Sequence, residues 1–451
     1  MVRSVAIVGA GFSGLLTALH LLARPSGPVV SLIERGEGFG LGTAYGACRP
    51  EHLLNVRAGN MSAFPDQPDH FTAWLRREGG RSDVDGAAFA SRRAYGAYLQ
   101  QLLREAVAQG SAGRLELVQD GVTGIVREVG GLELQFSMGR TATVDVVVLA
   151  PGAAPATPPA EIDPVLLESA AYVGDPWTEG ALDRIERDDP VLIIGAGLTM
   201  VDVAITLARR GPRRRIVALS RHGLLPQRHA GAPAPPAPRP PLDISLAESV
   251  RLVRARATIE GNWRAVFDSL RPVTQALWGR LTLDERQRFL RHLRPYWDTH
   301  RHRLAPEAAD ELDGLRAAGR LELAAGRLLS VQAADHGVEA RWRSRGGGER
   351  SAGFRHVVNC TGPGSVRAWD DPLVRGLIGR GYARPDPLDV GLDVDAACRL
   401  LDARGTAAAD LFVVGPLTRG AFWESTAVPD LRVQAAAVAQ RIVDGANPPG
   451  R

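Results

Sequence analysis

The first segment of the chain suited to chemistry is a glycine-rich turn that could hold the phosphates of a dinucleotide. Gly9, Gly11 and Gly14 stand at GxGxxG spacing after a short apolar run, and apolar residues continue beyond them with helical spacing. In such a strand–turn–helix unit the helix N-terminus faces a pyrophosphate, and an acid ending the next strand binds ribose hydroxyls. Glu34 ends that strand, about 20 residues beyond the glycines. These residues predict a nucleotide-binding unit rather than an ordinary glycine turn.

A second turn of the same kind lies near the middle of the chain. Gly195 and Gly197 repeat the spacing, but Met200 takes the place of the third glycine, so a plain strand-to-helix turn is an alternative. The following strand ends on Ser220 and Arg221 instead of a carboxylate. Three arginines precede that strand: Arg213, Arg214 and Arg215. A hydroxyl beside guanidinium groups suits a 2′-phosphate and favours NADPH over NADH, whereas a solvated basic loop is the other interpretation.

Two dinucleotide sites in one polypeptide suggest electron transfer between two cofactors, and the cysteines disfavour one class of enzyme that does this. Cys48, Cys360 and Cys398 are far apart and form no CxxC pair. Flavoprotein disulfide reductases need a vicinal redox pair, so they are disfavoured. The same spacing fits a reducing compartment.

The composition excludes several other classes. The 451 residues exceed one compact domain, so two or three are expected. The sequence contains no lysine, which excludes a Schiff-base enzyme and a Walker P-loop. The net charge is only +4 and the arginines follow no nucleic-acid-binding pattern. No apolar run is long enough to cross a membrane, and we expect a cytoplasmic protein without a membrane or nucleic-acid partner.

An internal repeat indicates how the chain is divided. The motif Arg-Leu-Glu-Leu opens a predicted β-meander at residue 114 and again at residue 320, and each meander leads to a buried strand. We therefore predict an α/β fold with two Rossmann-like dinucleotide-binding domains, for FAD and NADPH, and a helical insertion. The predicted divisions are residues 1–155 and 355–451 for FAD, 185–240 and 320–354 for NADPH, and 241–319 for the insertion.

The predicted insertion is preceded by a proline-rich segment, residues 230–241, which favours an extended flap or linker. Within the insertion, residues 291–303 are rich in histidine and arginine. A metal site on His300 and His302 is disfavoured because no cysteine or placed carboxylate accompanies them. An anion site is the stronger interpretation, with Arg294 and Arg301 as candidate partners of a substrate carboxylate, against a polar helix end.

Several further motifs together resemble a known family. They include Gly-x-Gly-x-Ala-Tyr around Gly42, the run His-Leu-Leu-Asn-Val-x-Ala-x-x-Met-Ser from His52, and Gly-Pro-Leu-Thr-Arg-Gly-x-x-Trp-Glu from Gly415. With the two glycine turns, they resemble the FAD/NAD(P)-binding flavoprotein family that contains the nitrosuccinate-forming L-aspartate N-monooxygenase. A more distant similarity is to the ornithine and lysine N-hydroxylases. One position departs from many flavoproteins of this fold, because Pro416 follows Gly415 where they have an aspartate.

The resemblance implies a set of cofactor contacts. Those expected for FAD are Gly9, Gly11, Gly14, Glu34, Arg35, Gly42, His52, Asn55, Val56 and Met61. Those expected for NADPH are Gly195, Gly197, Ser220 and Arg221. Gly362 and Gly415, which end predicted strands, complete the predicted cofactor-binding residues.

The function implied is that of an NADPH- and O2-dependent flavin monooxygenase. NADPH would reduce FAD, and a C4a-hydroperoxyflavin would transfer oxygen to a small amino acid or primary amine. We nominate no side chain as catalytic acid or base, since the flavin carries the chemistry. Two alternatives stay open: an NAD(P)H-dependent oxidase or reductase that passes electrons to a quinone or a partner, and a non-catalytic FAD-binding sensor.

Overall fold

The computed structural model describes residues 2–80, 82–108, 113–232 and 237–446. Its strands form two large parallel sheets, each extended by antiparallel strands. The strands are β1 (Ser4–Val8), β2 (Val29–Glu34), β3 (Leu115–Gln119), β4 (Val122–Glu128), β5 (Gly131–Phe136), β6 (Thr141–Val144), β7 (Val146–Leu149), β8 (Tyr172–Val173), β9 (Val191–Ile194), β10 (Ile216–Ser220), β11 (Leu321–Ala334), β12 (Gly337–Ser344), β13 (Glu349–Phe354), β14 (His356–Asn359), β15 (Arg399–Leu401) and β16 (Ala407–Val413).

Helices cover the sheets and build the insertion. They are α1 (Phe12–Leu22), α2 (Gly42–Gly46), α3 (His70–Arg77), α4 (Arg92–Ala108), α5 (Pro164–Leu167), α6 (Leu198–Arg210), α7 (Leu246–Glu260), α8 (Trp263–Leu270), α9 (Thr274–Arg280), α10 (Leu283–Arg288), α11 (Arg294–Arg301), α12 (Pro306–Ala317), α13 (Pro372–Gly379) and α14 (Val428–Ala446). A π-helical turn, Phe289–Leu293, joins α10 to α11.

The first sheet has the order β15-β16-β7-β1-β2-β3, and only β15 runs antiparallel to its neighbour. Alternate residues of β1 face opposite sides, because side chains along a strand alternate. Val5 and Ile7 pack on the side of α1, α4 and α14, whereas Ala6 and Val8 pack on the side of α13 and the meander β4-β5-β6. All the parallel strands therefore end at one edge, where a doubly wound sheet binds its ligand.

The second sheet has the order β13-β12-β11-β10-β9-β14-β8. Strand β11 is long enough to pair in parallel with β10 and then antiparallel with β12. Helices α6 and α12 pack on one side of this sheet and contribute Met200 and Leu312 to its core. The predicted α/β fold class, with two sheets of this kind, is confirmed.

Two predicted boundaries move. Strand β14, which the division at residue 355 gives to the first domain, pairs in parallel with β9 and belongs to the second sheet. Helix α12, predicted as part of the insertion, packs in the core of the second sheet instead. The sequence could not resolve either point, because a buried parallel strand and an amphipathic helix look alike in whichever domain they pack.

The insertion consists of α7 to α11, and its aromatic core includes Trp423 of the first domain. The described residues of the proline-rich segment, 230–232 and 237–241, form no helix or strand, and residues 233–236 lie outside the described part. In the described ranges no helix is long and apolar enough to cross a membrane.

Candidate functional site

The turn between β1 and α1 has the backbone geometry that its glycines were expected to provide. Gly9 has a φ of +101°, and its N–H donates to the carbonyl of Ile33 at 2.9 Å. A Cβ on Gly14 would lie 1.9 Å from the carbonyl oxygen of Gly9, so this position needs glycine for helix and strand to pack closely. Both requirements come from the protein itself.

The N-terminus of α1 remains open to a ligand. Gly11, the N-cap residue, has no side chain that could cap the helix, and the first turn of α1 contains no acid. The nearest atom to a Cβ placed on Gly11 is the Cα of Gly42, at 3.5 Å, so the two glycines allow backbones to meet beside the helix end. Uncapped N–H groups and the helix dipole favour a phosphate there.

Glu34 closes the turn as well as ending β2. Its carboxylate accepts hydrogen bonds from the N–H groups of Ala10, at 2.9 Å, and Gly36, at 3.1 Å. A carboxylate has further lone pairs, so Glu34 can still accept from ribose hydroxyls. Arg35 is largely exposed and pairs with Asp371 at 3.3 Å, which directs it to the surface of the first domain.

The second turn repeats the first with one informative difference. Gly195 has a φ of +117°, and a Cβ there would lie 2.2 Å from the carbonyl oxygen of Cys360. A Cβ on Gly197 would meet no atom of the described residues within 4 Å, and Gly197 itself has no side chain to cap α6. Met200 is fully buried in the core beneath the sheet. In this turn, the packing of the protein requires glycine at position 195 but not at position 197. Glycine at position 197 therefore favours a ligand that lies against this backbone.

The end of β10 carries the basic groups predicted for a 2′-phosphate. Ser220 accepts a hydrogen bond from the N–H of Gly223 at 3.1 Å through its Oγ, and Arg221 is exposed. No carboxylate pairs with Arg221 in the part of the chain that the structure describes. Burial lowers the pKa of His222, and the neighbouring charges of Arg221 and Arg345 lower it further. Arg345 is thus a second basic residue at this edge, which the sequence did not reveal.

The three arginines before β10 lie away from the predicted 2′-phosphate site. They lie at the opposite end of the strand from Ser220, because they precede its first residue. Arg214 is fully buried and donates to the carbonyl oxygens of Leu207, Asp189 and Glu186. Arg213 pairs with Asp188, and Arg215 pairs with Glu322. The prediction that they would assist a 2′-phosphate is therefore wrong.

The residues of the loop from His52 to Met61 contact different parts of the molecule. His52 is buried and its Nε2 lies 2.9 Å from Thr206 Oγ1 of α6, so the ring joins the two domains. Asn55 accepts a hydrogen bond from His229 Nε2 at 3.0 Å through its backbone oxygen. The side chain of Met61 is buried in the first core, whereas Val56 is half-buried at its margin. The cofactor contacts of these residues stay predictions. The side chains of His52 and Met61 already have partners within the protein, in Thr206 and in the first core, which limits the contacts they can make with a cofactor.

A cluster of arginines lies beside the carboxyl edges of both sheets. Gly362, with a φ of +87°, follows β14, and the Nη2 of Arg294 would lie 4.0 Å from a Cβ placed on it. Gly415, with a φ of +89°, follows β16 and leads to Arg419. The charge of Arg294 lowers the pKa of Arg419, so these two guanidinium groups are neighbours. We define the arginine cluster as Arg271, Arg294, Arg301, Arg419 and Arg432.

The cluster contains more buried donors than acceptors. Arg301 pairs with Glu424 at 3.3 Å, and Arg294 with Asp298 at 3.3 Å. Several buried nitrogens nevertheless have no hydrogen-bond partner among the described residues: Arg271 Nη2, Arg301 Nε, Arg419 Nε and Arg432 Nε. Buried polar atoms are almost always paired. Among the same described residues, Asp298 Oδ1 and Glu424 Oε2 in this region also lack a hydrogen-bond partner, so the imbalance lies in the charge, with more guanidinium groups than carboxylates.

The pKa values show the same imbalance. Burial lowers the pKa of Arg271 to about 10, with the charge of Arg301 as a further cause. Burial likewise lowers the pKa of Arg419 to about 10. An anion placed here would offset that penalty, because an opposite charge stabilises the charged form.

Arg294 and Arg301 were predicted for this role, and the structure brings them together in the cluster. The sequence missed Arg271, Arg419 and Arg432, which come from other elements. The sequence did contain a pointer to Arg419, because this residue is the arginine of the motif Gly-Pro-Leu-Thr-Arg that begins at Gly415. Among the described residues, no group of three or more His, Cys, Asp or Glu side chains is placed as metal ligands would be.

These features define a class of protein: a flavoprotein-type α/β fold with two dinucleotide-binding units, the second of which carries a helical insertion between β10 and α12. Residues 6–154 match a family model described as FAD-NAD(P)-binding. No curated protein matches the chain in sequence.

Particular solved structures share the whole fold. L-lysine 6-monooxygenase from Pseudomonas syringae superposes with a TM-score of 0.69 at 16% identity, covering 99% of this chain and 100% of that one. Ornithine hydroxylase from Pseudomonas aeruginosa gives 0.68 at 16% identity over 99% and 100%. Ornithine N-hydroxylase from Kutzneria sp. 744 gives 0.67 at 17% identity over 98% and 99%. The distant similarity to N-hydroxylases is confirmed at the level of the fold.

Proposed function

We propose that this protein is an FAD-dependent, NADPH- and O2-using monooxygenase that oxygenates the amino group of a small amino acid or primary amine. The observation that carries the proposal is the pair of uncapped helix N-termini, at Gly11 and Gly197, on the carboxyl edges of two sheets in one chain. The family match over residues 6–154 and the shared fold of the N-hydroxylases support it.

Each nucleotide would be held by residues whose chemistry fits it. The N-terminus of α1 would hold the pyrophosphate of FAD, with Glu34 on the ribose. The N-terminus of α6 would hold the pyrophosphate of NADPH, with Arg221 and Arg345 on the 2′-phosphate. When bound, FAD would supply the redox chemistry: two electrons from NADPH would reduce O2 so that one oxygen atom enters the substrate and the other leaves as water.

The arginine cluster supports an amino acid as the substrate. Its five guanidinium groups face three neighbouring carboxylates, those of Asp298, Glu424 and Asp430. A substrate carboxylate would accept from the unpaired nitrogens and reduce the excess positive charge, which fixes one end of an amino acid. Trp423 covers one side of the cluster, with the guanidinium of Arg419 4.2 Å from its ring centre, and so keeps water away.

The compartment follows from the cysteines. Cys48, Cys360 and Cys398 are all free thiols, and Cys360 and Cys398 are buried. We propose the cytoplasm as the location, because a reducing compartment keeps such thiols unpaired.

The experiment uses the protein purified with its flavin. NADPH and O2 consumption and peroxide release are followed with and without a panel of amino acids headed by aspartate. We expect one amino acid to speed NADPH oxidation while lowering the peroxide released per NADPH, with an N-oxygenated product in the mass spectrum. Peroxide as the only product for every amino acid and amine would favour the oxidase or reductase instead. A flavin that neither nicotinamide reduces would favour the sensor.

A variant of the cluster tests the substrate site. Arg419→Gln should raise the KM of the accepted amino acid by roughly tenfold to a hundredfold, the range for one lost charged hydrogen bond. Its NADPH KM and flavin content should stay unchanged. The control is Arg291→Gln, an exposed arginine of the insertion that does not belong to the cluster. Equal effects of the two variants would contradict a carboxylate site at the cluster.

A further inference from the structure

A large, partly open cavity lies in the helical insertion. No residue of the two glycine turns lines it, although the ring of Tyr296 in its wall lies 6.0 Å from that of His222 near the end of β10. Its volume is about 540 Å3, and it is bounded by residues of α7, α8, α9 and α11 together with Trp423. The lining is mostly apolar, with tryptophan, phenylalanine, leucine and valine side chains. This size and lining are typical of a site for a small molecule.

Helix α7 shows that the cavity interrupts normal packing. Leu246, Val250, Val253 and Ala257 recur at helical spacing on the side of the helix that lines the cavity. An amphipathic helix usually buries such a stripe in a core. No residue of α7 is fully buried, and the stripe is half-buried. Leu246 packs partly against the Trp278 cluster and Val253 partly against the Val266 cluster, so an occupant of the cavity would complete the burial of the stripe.

The aromatic wall offers ring surfaces rather than polar atoms. Trp278 donates through Nε1 to the carbonyl of Gly420, and Trp297 donates to Glu424 Oε1, each at 2.9 Å. Because these N–H groups have partners outside the lining of the cavity, the rings contribute apolar area to it. Trp423 stacks on Trp278 at 4.8 Å and contacts Arg419 as well, so it separates the cavity from the arginine cluster.

The charges that line the cavity are balanced. Arg254 and Arg280 are the cations, and Asp243 and Glu285 are the anions. Glu285 is also fixed by the backbone N–H groups of Thr282 and Leu246. A lining without excess charge gives no electrostatic preference for an ion, which favours an uncharged occupant.

We propose that this cavity is a binding site for an uncharged apolar molecule with an aromatic or aliphatic body. The proposal rests on the packing of the insertion and does not depend on the monooxygenase activity. An occupant would complete the burial of the stripe of α7 and restore the dispersion contacts that its lining lacks.

The test measures binding directly, by isothermal titration calorimetry of the flavin-loaded protein with 4-phenyl-1-butanol. We expect saturable binding at one site. Val250→Trp, which fills the cavity from α7, should lower the association constant by about tenfold or more. Ala257→Phe is a second filling variant, and thermal unfolding with flavin content establishes that each variant is folded. Ala255→Trp is the matched control, because Ala255 is exposed on the same helix and does not line the cavity.

Several results would overturn the proposal. Folded wild-type protein that gives no saturable binding would do so, as would equal losses in Val250→Trp and Ala255→Trp. Competition by NADP+ would place the alcohol in a nucleotide site instead. The ionised analogue 4-phenylbutanoate should bind more weakly than the alcohol, and tighter binding would contradict an uncharged ligand. Because no turnover is measured, absence of monooxygenase activity would leave this result unaffected.

Discussion

Two glycines of the second turn, Gly195 and Gly197, differ in whether the fold itself requires glycine. Gly195 has a left-handed φ and no room for a Cβ beside Cys360, so the backbone requires glycine there. Gly197, two residues away, has open space where its Cβ would be. Sequence alone treats the two as one motif, whereas the structure assigns them different roles.

This contrast predicts opposite outcomes for two alanine substitutions. Gly197→Ala should leave thermal unfolding almost unchanged but raise the KM for NADPH severalfold, because its methyl group would stand where the pyrophosphate approaches the backbone. Gly195→Ala should destabilise the protein by about 1–3 kcal/mol through backbone strain and the clash with Cys360. Denaturant unfolding and steady-state kinetics measure both. Unchanged nucleotide kinetics in a folded Gly197→Ala protein would rule out a pyrophosphate at α6.

A second prediction at the residue scale concerns the choice of nicotinamide. Arg221→Gln and Arg345→Gln should each raise the KM for NADPH far more than that for NADH, since only NADPH carries the 2′-phosphate. Arg213→Gln is the control at the other end of β10, where the side chain is 88% exposed. The comparison uses initial rates with both nucleotides. Proportional changes for NADPH and NADH would exclude a phosphate contact at these arginines.

At the scale of elements, the sequence predicted the two strand–turn–helix units, which local patterns define, but only part of the arginine cluster, which tertiary packing assembles. The strand–turn–helix units at Gly9 and Gly195 were predictable, because glycine spacing and apolar runs fix them. The arginine cluster was only half predictable: Arg294 and Arg301 share one helix, whereas Arg271, Arg419 and Arg432 reach it from elsewhere. No pattern in one sequence reports such convergence.

Helix α6 also joins the two domains through a buried histidine. His52 Nδ1 accepts from the N–H of Arg49 at 3.1 Å, so its Nε2–H donates to Thr206 Oγ1, whose hydroxyl donates to Glu51. Burial lowers the pKa of His52 to about 4, with the charge of Arg92 as a second cause. The ring is therefore neutral at neutral pH.

The lowered pKa predicts acid sensitivity of this contact. Between about pH 6.5, the ordinary histidine pKa, and about pH 4, His52 is protonated in the unfolded chain but stays neutral in the folded protein. The free energy of unfolding therefore decreases as the pH drops from about 6.5 to about 4. His52→Gln, which cannot titrate, should lose less stability across that window than the wild type. Urea unfolding at several pH values measures this, with exposed His292→Gln as the control. Parallel curves for His52→Gln and the wild type would show that His52 does not titrate on unfolding.

At the scale of the whole molecule, a largely buried ion pair connects the nucleotide units. Arg92, at the start of α4, contacts Asp202 of α6 at 2.6 Å, and only 16% and 10% of the two side chains are exposed. Burial raises the pKa of Asp202 to about 6 despite this partner. Folding therefore takes up a proton at Asp202, and its contribution to stability falls as the pH rises from about 4 to about 6.

Removing Arg92 should make that dependence steeper and extend it to higher pH. In Arg92→Met the lone carboxyl would be protonated near about pH 5, so the variant should lose little stability there. Near about pH 8 it should lose up to about 3 kcal/mol, because one proton retained over the roughly two pH units above the wild-type pKa of about 6 costs about 1.4 kcal/mol per unit. The double variant Arg92→Met/Asp202→Leu should recover most of this loss, because two apolar side chains can replace a buried pair. Urea unfolding at the two pH values decides the matter: a loss independent of pH would mean that Arg92 stabilises the domain contact by packing on Trp177, 5.8 Å from its guanidinium, and not by its charge.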